Sequence, residues 1–201
     1  MQTHVGQWFG LSNTALMMVH IWYDTRPSVN RLAQDRADQI SIDRVNDEIA
    51  RRVRLVRDRG DFVGVHSVVD SSEVPDEQSA RLVVLGPDHP HKGDASAAFA
   101  EAQKILDQRG TSPRIHRNML AFVAPDKDRL TELQNAVRQS LAWTSIQSEL
   151  ESLNLDTFQR SQVTSAVTRS EDTVKARMQE TYFWLIVPTQ DDGVGRLPEN
   201  S

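Results

Sequence analysis

One stretch constrains the fold of this chain more than any other: RLVVLGPDHPHKG, Arg81 to Gly93, where a short apolar run meets a Gly-Pro break and a polar loop that opens a helix. Apolar residues this concentrated, several of them β-branched, read as a strand buried on both faces, and such a strand belongs at the centre of a sheet. The same grammar returns at NMLAFVAPD, Asn118 to Asp126: an apolar run, a proline and an aspartate at a helix start. Between the two runs, Asp94 or Ser96 can cap a helix whose buried side is Ala98, Phe99, Ala102, Ile105 and Leu106, with Gly110 as its stop. Strand, helix, strand with one intervening helix predicts a right-handed parallel crossover.

Upstream, DFVGVHSVVD alternates well enough for a strand over Asp61 to Val69, following a helix that begins near Ser41 and stops at Gly60. That helix presents Ile42, Val45, Ile49, Val53 and Val56 at steps of three or four, one apolar face. A turn at Thr25 to Ser28 and helical spacing from Val29 and Leu32 precede it. Downstream, a long helix from Lys127 carries Leu130, Leu133, Val137, Leu141 and Ile146 on one side. Asn154 to Asp156 breaks it, a second helix runs to about Met178, and TYFWLIVPTQ closes the domain as a strand from Thr181 to Val187. The predicted class is α/β: a small, mostly parallel sheet flanked by helices, preceded by a helical section. The expected divisions are 1–23, an irregular apolar edge; 24–60, helical; 61–190, the α/β domain; and 191–201, a frayed tail.

Composition narrows the function. A net charge of -5 over 201 residues argues against binding nucleic acid through overall charge. With no cysteine, disulfides, thiolate metal sites and a cysteine nucleophile are excluded. The apolar run Ala15 to Val19 is too short to span a bilayer and lacks signal-peptide flanks, so the expected location is the cytoplasm, away from membranes.

Two clusters could carry chemistry. If the strands at Leu82, Met119 and Tyr182 all run parallel, Asp88, His89, His91, Asp126, Lys127 and Gln190 converge at their C-terminal ends, where open α/β sheets bind ligands. A metal held by Asp88, His89 and His91 is chemically reasonable. The His-Pro-His loop offers no clear third ligand, however, and Asp126 is accounted for as a helix cap, so no metal is assigned. The loop is not a phosphate-binding Gly-x-x-x-x-Gly-Lys-Ser/Thr sequence, because its lysine precedes the second glycine and no hydroxyl follows. The second cluster is basic: Arg51, Arg52, Arg54, Arg57 and Arg59 face a single Asp58. It reads first as a solvated face whose arginines meet acids elsewhere. The alternative is a phosphate-contacting helix using Arg51, Arg52, Arg54 and Arg57. The lone His66 reads as a hydrogen-bonded core or edge residue, and the acidic loop Asp70, Glu73, Asp76 and Glu77, lacking a glycine, is no calcium loop.

The strings IWYDTRPSVNRLAQDRAD, ARLVVLGPDHPHKG, RGTSPRIHRNMLAFVAPD, LAWTSI, LNLD and ETYFWLIVPTQ, in this order, resemble the C-terminal region of large bacterial AAA-type ATP-binding proteins found beside DNA methyltransferases in phage-defence islands akin to phage-growth-limitation systems. The resemblance covers about Ile21 to Gln190. It implies a non-catalytic accessory or interaction domain, a C-terminal fragment whose ATP and magnesium site lies in a preceding domain with no counterpart here; no site residue carries over. The implied partner is a protein or the missing ATPase domain, with self-association through the apolar edge formed by Trp8, Phe9, Leu16, Met17, Met18, Ile21 and Trp22. The alternatives are a nucleic-acid module, with DNA as partner of the arginine helix, and a metal-dependent hydrolase at the strand ends.

Overall fold

A computed structural model describes residues 28–189 apart from Arg57 and Asp94. The expected apolar edge at 1–23, the turn at its junction and the tail at 191–201 lie outside the described residues. The chain opens with helices α1 (Val29–Gln39) and α2 (Ile42–Leu55), the second capped by the Ser41 hydroxyl, which accepts from the Arg44 N–H. Strands β1 (Gly64–Ser67) and β2 (Arg81–Val84) follow, then α3 (Ala97–Asp107) and a short hairpin of β3 (Gln108–Arg109) and β4 (Ser112–Pro113). The last elements are β5 (Leu120–Pro125), α4 (Lys127–Ser148), α5 (Thr157–Thr181) and β6 (Tyr182–Ile186).

The four-stranded sheet has the order β1-β2-β5-β6. β1 pairs parallel with β2, and β2 with β5, with Val83 opposite Phe122. The small, mostly parallel α/β sheet is therefore present, but its last strand departs from expectation: β6 is antiparallel to β5. The reason is the number of helices in the connection. A single helix, α3, returns the chain to the start of the next strand, which makes β2 and β5 parallel. α4 and α5 instead form a hairpin: the contacts Glu132–Arg177 and Ser140–Glu171, and the shared cluster of Ile146 and Val163, rise in number on one helix while falling on the other. Two helices bring the chain back to the edge it left, and Asp126 N–H donates to Thr181 O there at 2.8 Å.

Period-two alternation sorts the sheet's side chains into two cores. Val83, Leu85, Leu120, Phe122 and Ala124 pack with Ala98, Ala102 and Ile105 of α3. Val84, with partly buried Leu82 and Val123, packs on the other face against Val45, Ile49 and Val53 of α2, Leu130, Leu133 and Val137 of α4, and Val174 of α5. A third cluster, Val29, Ala33, Ile146, Leu155 and Val163, joins α1 to the far ends of the helical hairpin.

Several expected details shift. Ile42 and Val56, assigned to the buried face of α2, are exposed because they flank the two turns that reach the core, and Phe99 is exposed on α3. Ser96 caps α3, accepting from the Phe99 N–H. α2 and α3 end before the glycines taken as their stops: Gly60 and Gly110 occupy left-handed conformations, φ 48° and 59°, in the turns that follow. Among the described residues no helix is long and apolar enough to cross a membrane.

Candidate functional site

The strand ends are knit by backbone before any side chain is considered. After β2 the loop turns at Gly86, where a Cβ would sit 3.1 Å from a Val68 methyl carbon. His91 then rejoins the sheet, donating its N–H to Pro125 O at 2.7 Å and accepting from Lys127 N–H at 3.1 Å. Val68, at the end of β1, has φ 53°, a left-handed conformation rare for a β-branched residue. Its N–H donates to Val84 O and its carbonyl accepts from Arg54 at 3.2 Å, so the bonds on both sides hold it there.

The candidate side chains at this edge point to different partners. Asp88 accepts from Asn46 at 3.3 Å, and Asn46 in turn accepts from Gln134 at 2.9 Å. His89 lies 3.7 Å from the Glu101 carboxylate. His91 is buried, its Nδ1 3.1 Å from the Ser96 hydroxyl and its ring centroid 4.6 Å from that of Trp184. Asp126 caps α4, accepting from the N–H groups of Asp128 and Arg129 at 3.0 and 2.9 Å, and also accepts from Trp184 Nε1 at 2.8 Å. Burial alone would raise its pKa, but these three donors together, with the nearby Arg129 charge, hold it below the ordinary value. Lys127 meets the edge through its backbone N–H. Asp88, His89 and His91 thus do not face a common point, and among the described residues no group of three or more His, Cys, Asp or Glu side chains is placed to hold a metal.

Gln190 lies outside the described residues, and the direction of β6 corrects the reason for grouping it with Asp88. Val187, Pro188 and Thr189 leave the sheet beside Ile115, Arg117 and Asn118, near the beginning of β5, so the chain exits at the opposite edge from Asp88 and His91. The start of β6 brings a residue that the sequence reading did not single out. Tyr182 places its buried hydroxyl near the Asp88 edge without a hydrogen-bond partner among the described residues, and burial, reinforced by the Asp88 charge, pushes its pKa up.

Two arginines of the basic cluster, Arg51 and Arg52, are paired with acids. Arg51 binds Glu48 in a bidentate fork at 2.6 and 2.7 Å. Arg52 reaches Glu48 at 2.7 Å and forks onto Glu171 of α5 at 2.8 and 2.9 Å. Glu171 also accepts from the Ser140 hydroxyl. Arg51 and then Arg52 lower the Glu48 pKa, and Arg52 followed by Ser140 lowers that of Glu171. Arg54 and Arg59 turn to backbone carbonyls of Val68 and Val63, while Arg57 lies outside the described residues. His66 sits 3.3 Å from Arg81, and its pKa is lowered by burial and then by the charges of Arg81 and Arg114.

β6 exposes several apolar side chains. Phe183, Trp184, Leu185 and Val187 are 47, 39, 60 and 53% exposed. The Arg129 guanidinium lies 4.9 Å from the Phe183 ring centroid, covering part of it. Beside the strand runs a groove of about 570 Å³ lined by Phe99, Leu106, Ile115, Arg117, Ile186 and Val187, with Ile115 81% exposed. No protein-family model, curated protein or solved structure matches this chain.

Proposed function

We propose that this chain is a non-catalytic interaction domain that works within a larger ATP-driven assembly of the defence-associated AAA type, and that it meets its protein partner through the β6 edge and the adjoining groove. The observation that carries the reading is the run of exposed apolar side chains from Phe183 to Val187 beside the Phe99–Ile115 groove. Contiguous apolar surface rimmed by polar groups, here Asp107, Arg117 and Asn118, is characteristic of protein contact surfaces. The strand-end histidines and carboxylates are engaged in structural bonds, and Arg51 and Arg52 of α2 are engaged with Glu48 and Glu171, which favours protein contact over metal hydrolysis or phosphate binding. The ATPase setting rests on the sequence resemblance.

Calorimetric titration of the purified chain against the ATPase domain of a protein of the resembled family tests this. Binding should weaken at least tenfold in Ile115→Lys, at the rim of the groove, with the far-ultraviolet circular dichroism unchanged. Binding indifferent to Ile115→Lys and to Leu185→Lys would remove the surface assignment, and ATP turnover by the purified chain alone would overturn the non-catalytic reading.

A further inference from the structure

The turn between α1 and α2 faces α4 across a pocket of about 420 Å³, within the size range of small-molecule sites. Helical spacing decides what lines it. Arg36 and Gln39 stand three residues apart on α1, as do Ala142 and Ser145 on α4, so each pair shares a face of its helix. Arg44 comes from the first turn of α2, and Ile40 from the turn itself.

The polar groups of this pocket are mostly donors, and several of them are unspent. Arg36 is fixed: it forks onto Glu149 at 2.9 and 2.7 Å and donates to the Ser145 hydroxyl. That bond uses an acceptor lone pair of Ser145 and leaves its O–H proton to donate elsewhere. Arg44 gives its backbone N–H to the Ser41 hydroxyl at 3.3 Å, but neither its guanidinium nor the Gln39 carboxamide bonds to another group among the described residues. No carboxylate is among the lining residues, and Glu149, which reaches the wall, is taken up by Arg36. The charge of Arg44 is therefore left uncompensated, unlike those of Arg51 and Arg52 further along the same helix, which meet Glu48 and Glu171. The start of α2 adds partial positive charge from its first N–H groups.

We propose that this pocket binds the phosphoryl group of a small phosphomonoester. Donors from three elements, Gln39 on α1, Arg44 on α2 and Ser145 on α4, border one space. They match the three outer oxygens of a tetrahedral phosphoryl group, where a carboxylate would offer two, and a guanidinium fork suits such oxygens in pairs. Ile40 and Ala142 supply an apolar wall for the carbon part of the ester. The pocket shares no residue with the β6 surface or its groove, so the inference stands apart from the proposed protein contact.

The test titrates the isotope-labelled full chain with inorganic phosphate, glycerol phosphate and succinate at constant ionic strength, followed by amide chemical shifts. The expected result is saturable shifts at Ile40, Arg44 and Ser145, with glycerol phosphate bound more tightly than succinate. Arg44→Gln should weaken phosphate binding about tenfold with circular dichroism unchanged, the loss of one charged donor pair, and Gln39→Leu should weaken it about threefold. Arg31→Gln, which removes an equal charge from an exposed position on α1, should leave the affinity unchanged. Equal weakening by Arg31→Gln, or shifts that grow without saturating, would mean an adventitious ion only and overturn the site. Succinate bound as tightly as glycerol phosphate would overturn the phosphoryl assignment in favour of a carboxylate, and displacement of glycerol phosphate by an equimolar unphosphorylated oligonucleotide would overturn it in favour of a nucleic-acid backbone. If Arg44→Gln loses its fold, Gln39→Leu against Arg31→Gln decides the same question.

Discussion

Arg114 is 3% exposed and, among the described residues, makes its hydrogen bonds to backbone carbonyls. Its guanidinium donates to four backbone carbonyls: Ile105 at 2.8 Å, Pro75 at 3.0 Å, Val74 at 3.1 Å and Ser71 at 3.3 Å. These belong to the last turn of α3 and to the connection between β1 and β2, so one side chain ties the hairpin region to a loop about forty residues away. Burial lowers the arginine pKa, and the Asp76 charge offsets part of that cost. Arg114→Met keeps a stem of similar length and deletes every donor. Hydrogen bonds from a charged donor contribute about 1.5–3 kcal/mol each, while the desolvation of the guanidinium, which methionine avoids, costs several kcal/mol. Four bonds set against one desolvation leave a net loss of about 3 kcal/mol. Arg114→Lys, a point donor reaching one or two of the carbonyls, should lose about 2 kcal/mol. With a urea slope of about 2 kcal/mol/M, the methionine variant's midpoint falls by roughly 1.5 M, read by circular dichroism. Arg109→Met, whose exposed guanidinium makes one 3.5 Å contact to Ser72 O, serves as control and should stay within about 0.5 kcal/mol of the parent. A methionine variant as stable as that control would refute the view that the four carbonyls depend on Arg114.

Glu48 and Glu171 have folded pKa values lowered by Arg51 and Arg52, so the stability they contribute is present above the ordinary glutamate value near 4.3 and is lost as pH falls through the lower folded values. The stability gap between the parent and Glu48→Gln should therefore be constant from about pH 6 to 7 and close below about pH 4, followed by urea unfolding across that range; a gap that widens on acidification contradicts the assignment. Asp126→Ala removes the cap of α4 and the Trp184 partner, and should cost about 1–2 kcal/mol with a red shift of tryptophan emission, whereas Asp126→Asn should recover most of the cap. Arg51→Gln should leave any low-salt affinity for duplex DNA and its salt slope unchanged, since Glu48 already neutralises that charge; a slope shallower by about one on fluorescence anisotropy would make Arg51 a phosphate contact.

Local signals in the chain sufficed for its local structure. The apolar runs at Arg81 and Asn118 became neighbouring parallel strands because one helix separates them, and Ser41, Ser96, Asp126 and Asp156 cap helices because their side-chain oxygens reach N–H groups two or three residues on. The acidic loop, which lacks a calcium-loop pattern, holds Asp76, which accepts from the backbone N–H groups of Ile115 and His116, and no local pattern announces a bond across some forty residues. The candidate edge was legible to the extent that Asp88, His91 and Asp126 follow their strands. The tasks of these side chains were not, since Asn46, Ser96 and Trp184 come from three other elements.

The direction of β6 and the fate of the arginines were decided only in three dimensions. TYFWLIVPTQ has the same composition whichever way it runs, and the α4–α5 hairpin, by returning the chain to the edge it had left, made it antiparallel and carried its exit away from Asp88. Likewise the sequence around Arg52 shows a basic helix, while Glu171, which neutralises it, is 119 residues distant and meets it only because α2 and α5 pack on the same face of the sheet. Periodicity and capping are properties of neighbours along the chain and can be read from it; strand direction and charge pairing depend on which elements pack together, which the tertiary fold alone settles.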